Sequence, residues 1–413
     1  MKTVFKFFGL AAMLMVFAAA PAFAQEECEG LYNQFLAKYK GKTIDEQKAA
    51  IGIGEQFISK CNSEDLKPNK DFVEKQVKKL REIVNSGETI ACFNNAVKDP
   101  KTVNADNAYR CGKDIIAANP DLIDVPLVLA TIGFDRVTAA TPNDTFNAQA
   151  IDYAKQAISK MEAGKTSDQY GAYAYIYKTK EYPDGKSNAL AWMNYTIGYI
   201  MYNRQNMKKE AIPYLYKSMQ YTSAVKKNPI VYQSIGDWYK DEYNRLDDER
   251  AKLAEQAKDK TPEEAKALAD KAKELLLLQK GYADRMIDAY GRAYNLAGTD
   301  AAYKAGLYTN LKVLYAFRYD NKPTTPLDSY ISTLSGKPMP DPSSTVTPVV
   351  DTTTTTTTAT TPTTSSLTST PTTTTNNNTR PTTDANTTKA KTATTTTKTP
   401  VKTTPAPKKK GTR

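Results

Sequence analysis

Residues 231–243, VYQSIGDWYKDEY, read as a helix with a glycine at its centre, and two further stretches repeat the arrangement: VLATIGFDRV at 128–137 and NYTIGYIMYN at 194–203. An interior glycine costs a helix about 1 kcal/mol relative to alanine. Accepting Ile-Gly three times, each time before a large residue, therefore calls for a packing reason. The surrounding chain is rich in Ala, Lys, Glu, Leu and Tyr, poor in Gly, and keeps Pro at segment boundaries, which places it in the all-α class. Start signals are legible. Thr43-Ile44-Asp45-Glu46 fits a capping box, and Thr261-Pro262-Glu263-Glu264 adds proline at the first helical position. Gly87, Asn119-Pro120, Gly164, Pro183-Asp184-Gly185, Asn228-Pro229 and Gly298 read as stops. Together these predict about thirteen helices, over 27–40, 44–61, 69–86, 89–98, 104–119, 122–140, 145–163, 167–180, 187–204, 207–224, 229–258, 262–297 and 300–319.

The Ile-Gly pairs stand at Ile132-Gly133, Ile197-Gly198 and Ile235-Gly236, spaced by 65 and 38 residues. Small residues seven apart follow in the next helix: Ala150 and Ala157 after the first pair, Ala211 and Ser218 after the second. On these residues the stretch 104–319 resembles the tetratricopeptide repeat family, whose unit is about 34 residues long. Tyr232, Ile235, Gly236 and Tyr239 match its pattern of a large residue, then Leu-Gly, then an aromatic. Leu129, Ile132 and Gly133 match with Arg136 in place of the aromatic, and Ile197 and Gly198 match with the aromatic displaced to Tyr202. The resemblance implies an antiparallel helix-hairpin solenoid that binds a protein or peptide. It also implies an answer for the glycines: the two helices of a unit pack with their backbones close, and a side chain there would push them apart.

The first 24 residues read as an export signal: Lys2 and Lys6, an apolar run from Phe7 to Ala20, then Pro21 and the small-x-small Ala22-Phe23-Ala24. The run is short for a membrane span. An exported chain with four cysteines suggests disulfides. In an antiparallel hairpin turning near Gly41-Lys42, Cys28 meets Cys61; around Pro100, Cys92 meets Cys111. The chain has no histidine, which excludes a Ser-His-Asp triad, a Cys-His pair and a His-ligated metal; no cofactor or metal is expected. The organisation expected is a signal over 1–24, N-terminal helical hairpins over 25–103 capping the array, the repeat array over 104–338, and a disordered Thr/Pro/Lys-rich tail over 339–413.

That tail holds nine Lys/Arg against three Asp/Glu, a net of +6 out of the chain's +11. It reads as an extended basic stalk, open to O-glycosylation or to an anionic envelope polymer rather than to nucleic acid. Among the 26 tyrosines, Tyr170, Tyr173 and Tyr177 share one face if 167–180 is helical, and are the candidate partner-binding aromatics. The stretch 247–280 reads as a projecting charged hairpin. The expectation is an exported, non-enzymatic scaffold of the periplasm or cell exterior that binds a protein or peptide, with the tail as tether. The alternatives are a structural protein whose tail does the work and, less favoured, a glycan-cleaving enzyme framed on a helical superhelix.

Overall fold

The computed structural model describes residues 20–349, with side chains from Gln25 onward. Residues 1–19 and 350–413 lie outside the described residues, and with them most of the expected export signal and most of the expected stalk. The described chain is an all-α array of paired antiparallel helices. In order these are α1 (Ala20–Lys38), α2 (Ile44–Lys60), α3 (Lys67–Val97), α4 (Ala105–Ala118), α5 (Asp124–Thr138) and α6 (Asn147–Glu162). Two two-residue strands, β1 (Gly171–Ala172) and β2 (Tyr175–Ile176), follow, and then α7 (Gly185–Asn203), α8 (Lys208–Ser218), α9 (Pro229–Gln256), α10 (Pro262–Leu296), α11 (Ala301–Arg318) and α12 (Leu327–Thr333). Each helix packs chiefly on its neighbours in sequence, most closely in the hairpins α5–α6, α7–α8 and α9–α10.

The helix starts follow the side chains that satisfy their free N–H groups. Thr43 accepts from the Glu46 N–H at 3.2 Å while the Glu46 carboxylate accepts from the Thr43 N–H at 3.1 Å, and Thr261 and Glu264 repeat the exchange. Asn104, Asp184, Asn228 and Asp300 cap α4, α7, α9 and α11 in the same way from their side-chain oxygens.

The three Ile-Gly pairs sit where close packing demands them. A Cβ on Gly133 of α5 would meet the Ala150 Cβ of α6 and lie 2.7 Å from the Tyr109 hydroxyl; on Gly198 of α7 it would lie 2.7 Å from Leu215 Cδ2 of α8; on Gly236 of α9 it would lie 2.5 Å from the Tyr290 ring of α10. In each hairpin the first helix lends its glycine to the second. The same device recurs in the N-terminal part, where no repeat signature was expected. Ile53-Gly54 stands in α2, and a Cβ on Gly54 would strike Val77 of α3 and approach the Phe35 ring of α1 to 3.1 Å. The backbone-contact device therefore begins at α2–α3.

Two bridges tie this end. Cys28, near the middle of α1, joins Cys61 just past α2, and Cys92 of α3 joins Cys111 of α4, with Cα separations of 5.7 and 6.1 Å. Closing loops of this size contributes about 3–4 kcal/mol each.

Three elements differ from the sequence expectation. The helices expected over 69–86 and 89–98 are one, α3, running through Gly87. Its buried residues Val73, Val77 and Leu80 serve the α1–α3 core, and Phe93, Ala96 and Val97 serve the α3–α5 core. Helical spacing is kept on both sides, so the glycine weakens the helix locally without ending it. The helix expected over 167–180 is absent, replaced by the β1–β2 hairpin. Past the last expected helix, α12 and the turn Leu334–Gly336 fold back on α10, burying Ile331 and Leu334, with Leu334 seated against Gly291.

The charged hairpin is present as the long α9–α10 pair. Its outer half carries exposed i,i+4 ion pairs such as Arg245–Glu249 at 3.0 Å and Lys266–Asp270 at 2.9 Å. Leu275 to Leu278 are half-buried, and Gln279 donates to the Tyr243 carbonyl while accepting from Arg250 at 2.6 Å, which fixes where the two helices join the array.

Candidate peptide-binding surface

The tyrosines singled out from the sequence do not share one exposed helical face. Tyr170 and Tyr173 hold left-handed backbone angles (φ 51° and 55°), so no helix passes through them. Tyr177 is buried, its hydroxyl 2.5 Å from that of Thr131 on α5, and its carbonyl accepts from Asn188 at 2.8 Å. Tyr170 is buried against the same core, and the backbone N–H of the next residue, Gly171, donates to Asp124 at 2.8 Å. Tyr173 alone is open, 40% exposed at the hairpin tip. The segment is a plug that fills the gap between α5 and α7. Among the repeat residues, Ile132, Ile197, Ile235, Tyr232 and Tyr239 are all buried, and Arg136, standing where an aromatic was expected, donates to the Val103 carbonyl at 2.6 Å.

What the array does present is a cleft of about 600 Å³ between the end of α8, the start of α9, the end of α10 and residues 335–339. Its walls combine Met219, Tyr232 and Leu296 with four cations, Lys226, Lys227, Arg292 and Lys337, and no carboxylate lines it. The Arg292 guanidinium is fixed from behind by Asp288, at 2.7 and 3.2 Å, and Lys227 reaches Glu181 at 3.3 Å. Tyr232 donates to the Lys226 carbonyl at 3.0 Å, which pins the turn that carries both lysines. Burial raises the pKa of this phenol, so it stays a neutral donor.

Beyond the cleft the chain continues as a bound strap. Residues 339–349 were expected to belong to the free tail; instead they run along α8 and α10. Tyr216 donates to the Met339 carbonyl at 3.2 Å, and Arg285 donates to the Asp341 carbonyl at 3.4 Å and to the Ser344 hydroxyl at 2.8 Å. The Val349 N–H donates to the Leu277 carbonyl at 3.0 Å. Gly281 of α10 faces the strap: a Cβ there would collide with the Thr347 carbonyl and lie 3.0 Å from Val346. Val346 packs against the main core, and Pro342 is buried. The Asp341 carboxyl is held below the usual carboxylate range by two hydrogen bonds from Ser343. The sequence signal for this docking is small but present: Val346 and Val349 stand as an apolar pair where hydroxyl residues otherwise dominate.

One half-buried acid stands apart from these. Asp237 of α9 accepts from the Tyr290 hydroxyl at 2.7 Å and from Gln233 at 3.4 Å, and burial raises its pKa above the ordinary value of 3.8. Among the described residues, no group of three or more Cys, Asp or Glu is placed to hold a metal ion, and no helix is long and apolar enough to cross a membrane. Compared with known protein families, with curated proteins and with solved structures, the chain matches none.

Proposed function

We propose that this chain is an exported, non-enzymatic helical-repeat scaffold that binds an extended peptide of a protein partner at the cell envelope, with residues 350–413 as a basic tether. The observation that carries the reading is the strap. The array surface holds eleven residues of non-helical chain (339–349), with a turn at 341–344, mainly through bonds to main-chain atoms, and leaves an apolar-walled, cationic cleft open where that segment begins. Main-chain bonds give affinity for extended peptide whatever its side chains. Of the four lining cations Arg292 is paired with Asp288 and Lys227 with Glu181, and the remaining Lys226 and Lys337 favour a partner segment bearing acidic side chains or a terminal carboxylate.

The packing of Gly133, Gly198 and Gly236 supports reading the array as a degenerate tetratricopeptide-type solenoid. Export rests on the N-terminal residues, and two disulfides suit an oxidising compartment. The periplasm or the cell exterior is the location that follows. No cofactor or nucleic acid enters the reading, and the basic tail suits an anionic envelope polymer.

The test is co-sedimentation of the chain from Gln25 with isolated envelope, with and without residues 350–413, across a salt series, repeated with Lys226→Glu/Lys337→Glu. The tether reading expects binding that needs the tail and fades with salt, and partner capture that the double charge reversal abolishes. Equal sedimentation of the truncated chain ends the tether reading. Capture untouched by the charge reversal ends the assignment of the cleft. Envelope binding by the tail with no partner on the array would favour the reading in which the tail is the working part.

A further inference from the structure

Trp238 is one of two tryptophans in the chain, and the two are used differently. Trp192 is 3% exposed, sealed in the main core against the Phe134 ring. Trp238 is half-buried: part of it packs on that core, and it lines a cleft of about 510 Å³ at the root of the α9–α10 hairpin. Small-ligand sites span about 300–1,000 Å³. The other lining residues are Tyr239, Asp241, Glu242 and Arg245 of α9 and Tyr282 of α10, none of which lines the basic cleft. Tyr239 is the central ring, its centroid 4.9 Å from that of Trp238 and 6.2 Å from that of Tyr282. The charged side chains beside these rings are paired. Lys208 of α8 donates to Asp241 at 2.8 Å. Arg245 donates to the two Glu242 oxygens at 2.6 and 2.9 Å and to Glu249 at 3.0 Å.

Charge decides against an ionic ligand. Lys208 and Arg245 balance the two lining carboxylates, so neither a cation nor an anion finds an uncompensated partner in the cleft. What the cleft offers is hydrogen bonding of both kinds. A carboxylate has about four acceptor sites, more than these pairs use, and three of the five N–H groups of Arg245 are engaged in them. Burial raises the pKa of Tyr282, so this phenol stays a neutral donor. The matching ligand has an apolar face for the rings and edge groups that each donate and accept. A pyranose has both: C–H groups on the face of the ring and hydroxyls around its rim. A proline-rich peptide matches the rings alone. Its prolines have no N–H, so its main chain offers chiefly carbonyl acceptors to Asp241 and Glu242.

We propose that this cleft is a saccharide-binding subsite, which holds a neutral pyranose residue of a glycan against Trp238 with the sugar hydroxyls donating to Asp241 and Glu242 and accepting from Arg245. The subsite gives the array a ligand of a second class. It needs no catalytic group, and it stands whether or not the basic cleft takes a peptide.

The experiment titrates the full chain with cellotetraose, maltotetraose, chitotetraose and mannotetraose, and with tetragalacturonate as the charged counterpart, each to about 10 mM. Tryptophan emission and ligand-observed saturation-transfer NMR are read together. The expected result is saturable binding of at least one neutral sugar with a Kd of about 1 mM or tighter, accompanied by a shift in tryptophan emission, and no binding of the uronate. Emission reports on the cleft because Trp192 is sealed in the core. Trp238→Ala should weaken the NMR-detected binding by roughly tenfold or more, and Trp238→Phe should restore part of it. Because Trp238 also packs on the core, Glu242→Ala/Arg245→Ala serves as a second block. It removes both partners of a rim pair and should weaken binding several-fold while circular dichroism stays unchanged. Lys226→Glu/Lys337→Glu should leave the sugar in place. Saturable binding of no neutral sugar overturns the proposal. Uronate binding as strong as that of the neutral sugars overturns the neutral class. Binding that Trp238→Ala and the pair removal leave intact places the site elsewhere and overturns it. A decaproline peptide that shifts tryptophan emission where no sugar does overturns it in favour of a peptide groove.

Discussion

In α2 the dipeptide Ile-Gly stands twice in succession, at 51–52 and 53–54, and the two glycines face opposite environments. A Cβ on Gly52 would meet nothing within 4 Å, whereas on Gly54 it would strike Val77 and come within 3.1 and 3.2 Å of two Phe35 ring atoms. Gly52→Ala and Gly54→Ala therefore gain the same helix propensity, about 1 kcal/mol. They differ only in what the new methyl meets. Phe35 and Val77 are both buried, and the Cys28–Cys61 bridge holds α1, which carries Phe35, to the end of α2, so the site has little room to give. Forcing one carbon into such a site costs about 1–3 kcal/mol. Propensity cancels in the comparison, and the difference between the variants is the overpacking cost itself. Gly52→Ala should raise stability by up to about 1 kcal/mol. Gly54→Ala should fall below it by about 1–3 kcal/mol. Equilibrium urea unfolding followed by far-UV ellipticity, on oxidised protein, reads both. If the two alanines shift the midpoint in the same direction by the same amount, close helix approach is not why glycine stands in these pairs, and the same account of Gly133, Gly198 and Gly236 falls with it.

Asp237 makes stability pH-dependent in a definite direction. Burial, opposed by the Tyr290 hydrogen bond and by the charges of Lys240 and Lys208, raises its folded pKa above the unfolded value of 3.8. A raised carboxyl favours the folded state fully only below the unfolded pKa, and that contribution is lost as pH rises through the folded value. Asp237→Asn should therefore flatten the decline of stability above about pH 4 and be the more stable form at neutral pH; parallel wild-type and variant pH profiles in urea unfolding would rule this out. Tyr177→Phe should cost about 1 kcal/mol of stability by removing the hydroxyl contact with Thr131, with partner capture unchanged. Loss of capture at full stability would instead return that tyrosine to a binding role.

The hairpin framework was legible because its signals are local. Thr43 with Glu46, Thr261 with Glu264, and the repeated Ile-Gly each act within one turn or between two adjacent helices. The cysteine pairings were legible for a similar reason, since an antiparallel turn brings Cys28 back to Cys61 and Cys92 back to Cys111. The segment 167–180 was misread because its tyrosines fit two periods. Tyr170, Tyr173 and Tyr177 suit a helix, while Tyr175 and Tyr177 alternate as a strand does. Gly171, at φ 127°, decided against the helix. The cationic cleft was not legible at all: Lys226, Arg292 and Lys337 lie far apart in sequence, and only the return of α12 over the end of α10 brings Lys337 to the others.

The strap extends the packing logic of the hairpins to a segment that is not helical. Gly133, Gly198 and Gly236 each admit a side chain of the next helix, whereas Gly281 admits a carbonyl and a valine of extended chain. A helix that accepts a glycine for another helix gains a large apolar contact in return. α10 gains much less at Gly281: one main-chain bond from Val349, two donated by Arg285, and the half-burial of Val346. Net hydrogen bonds of this kind contribute about 1 kcal/mol each. The ordering entropy of an extended segment offsets much of that. The strap is thus held by a smaller margin than the hairpin helices are.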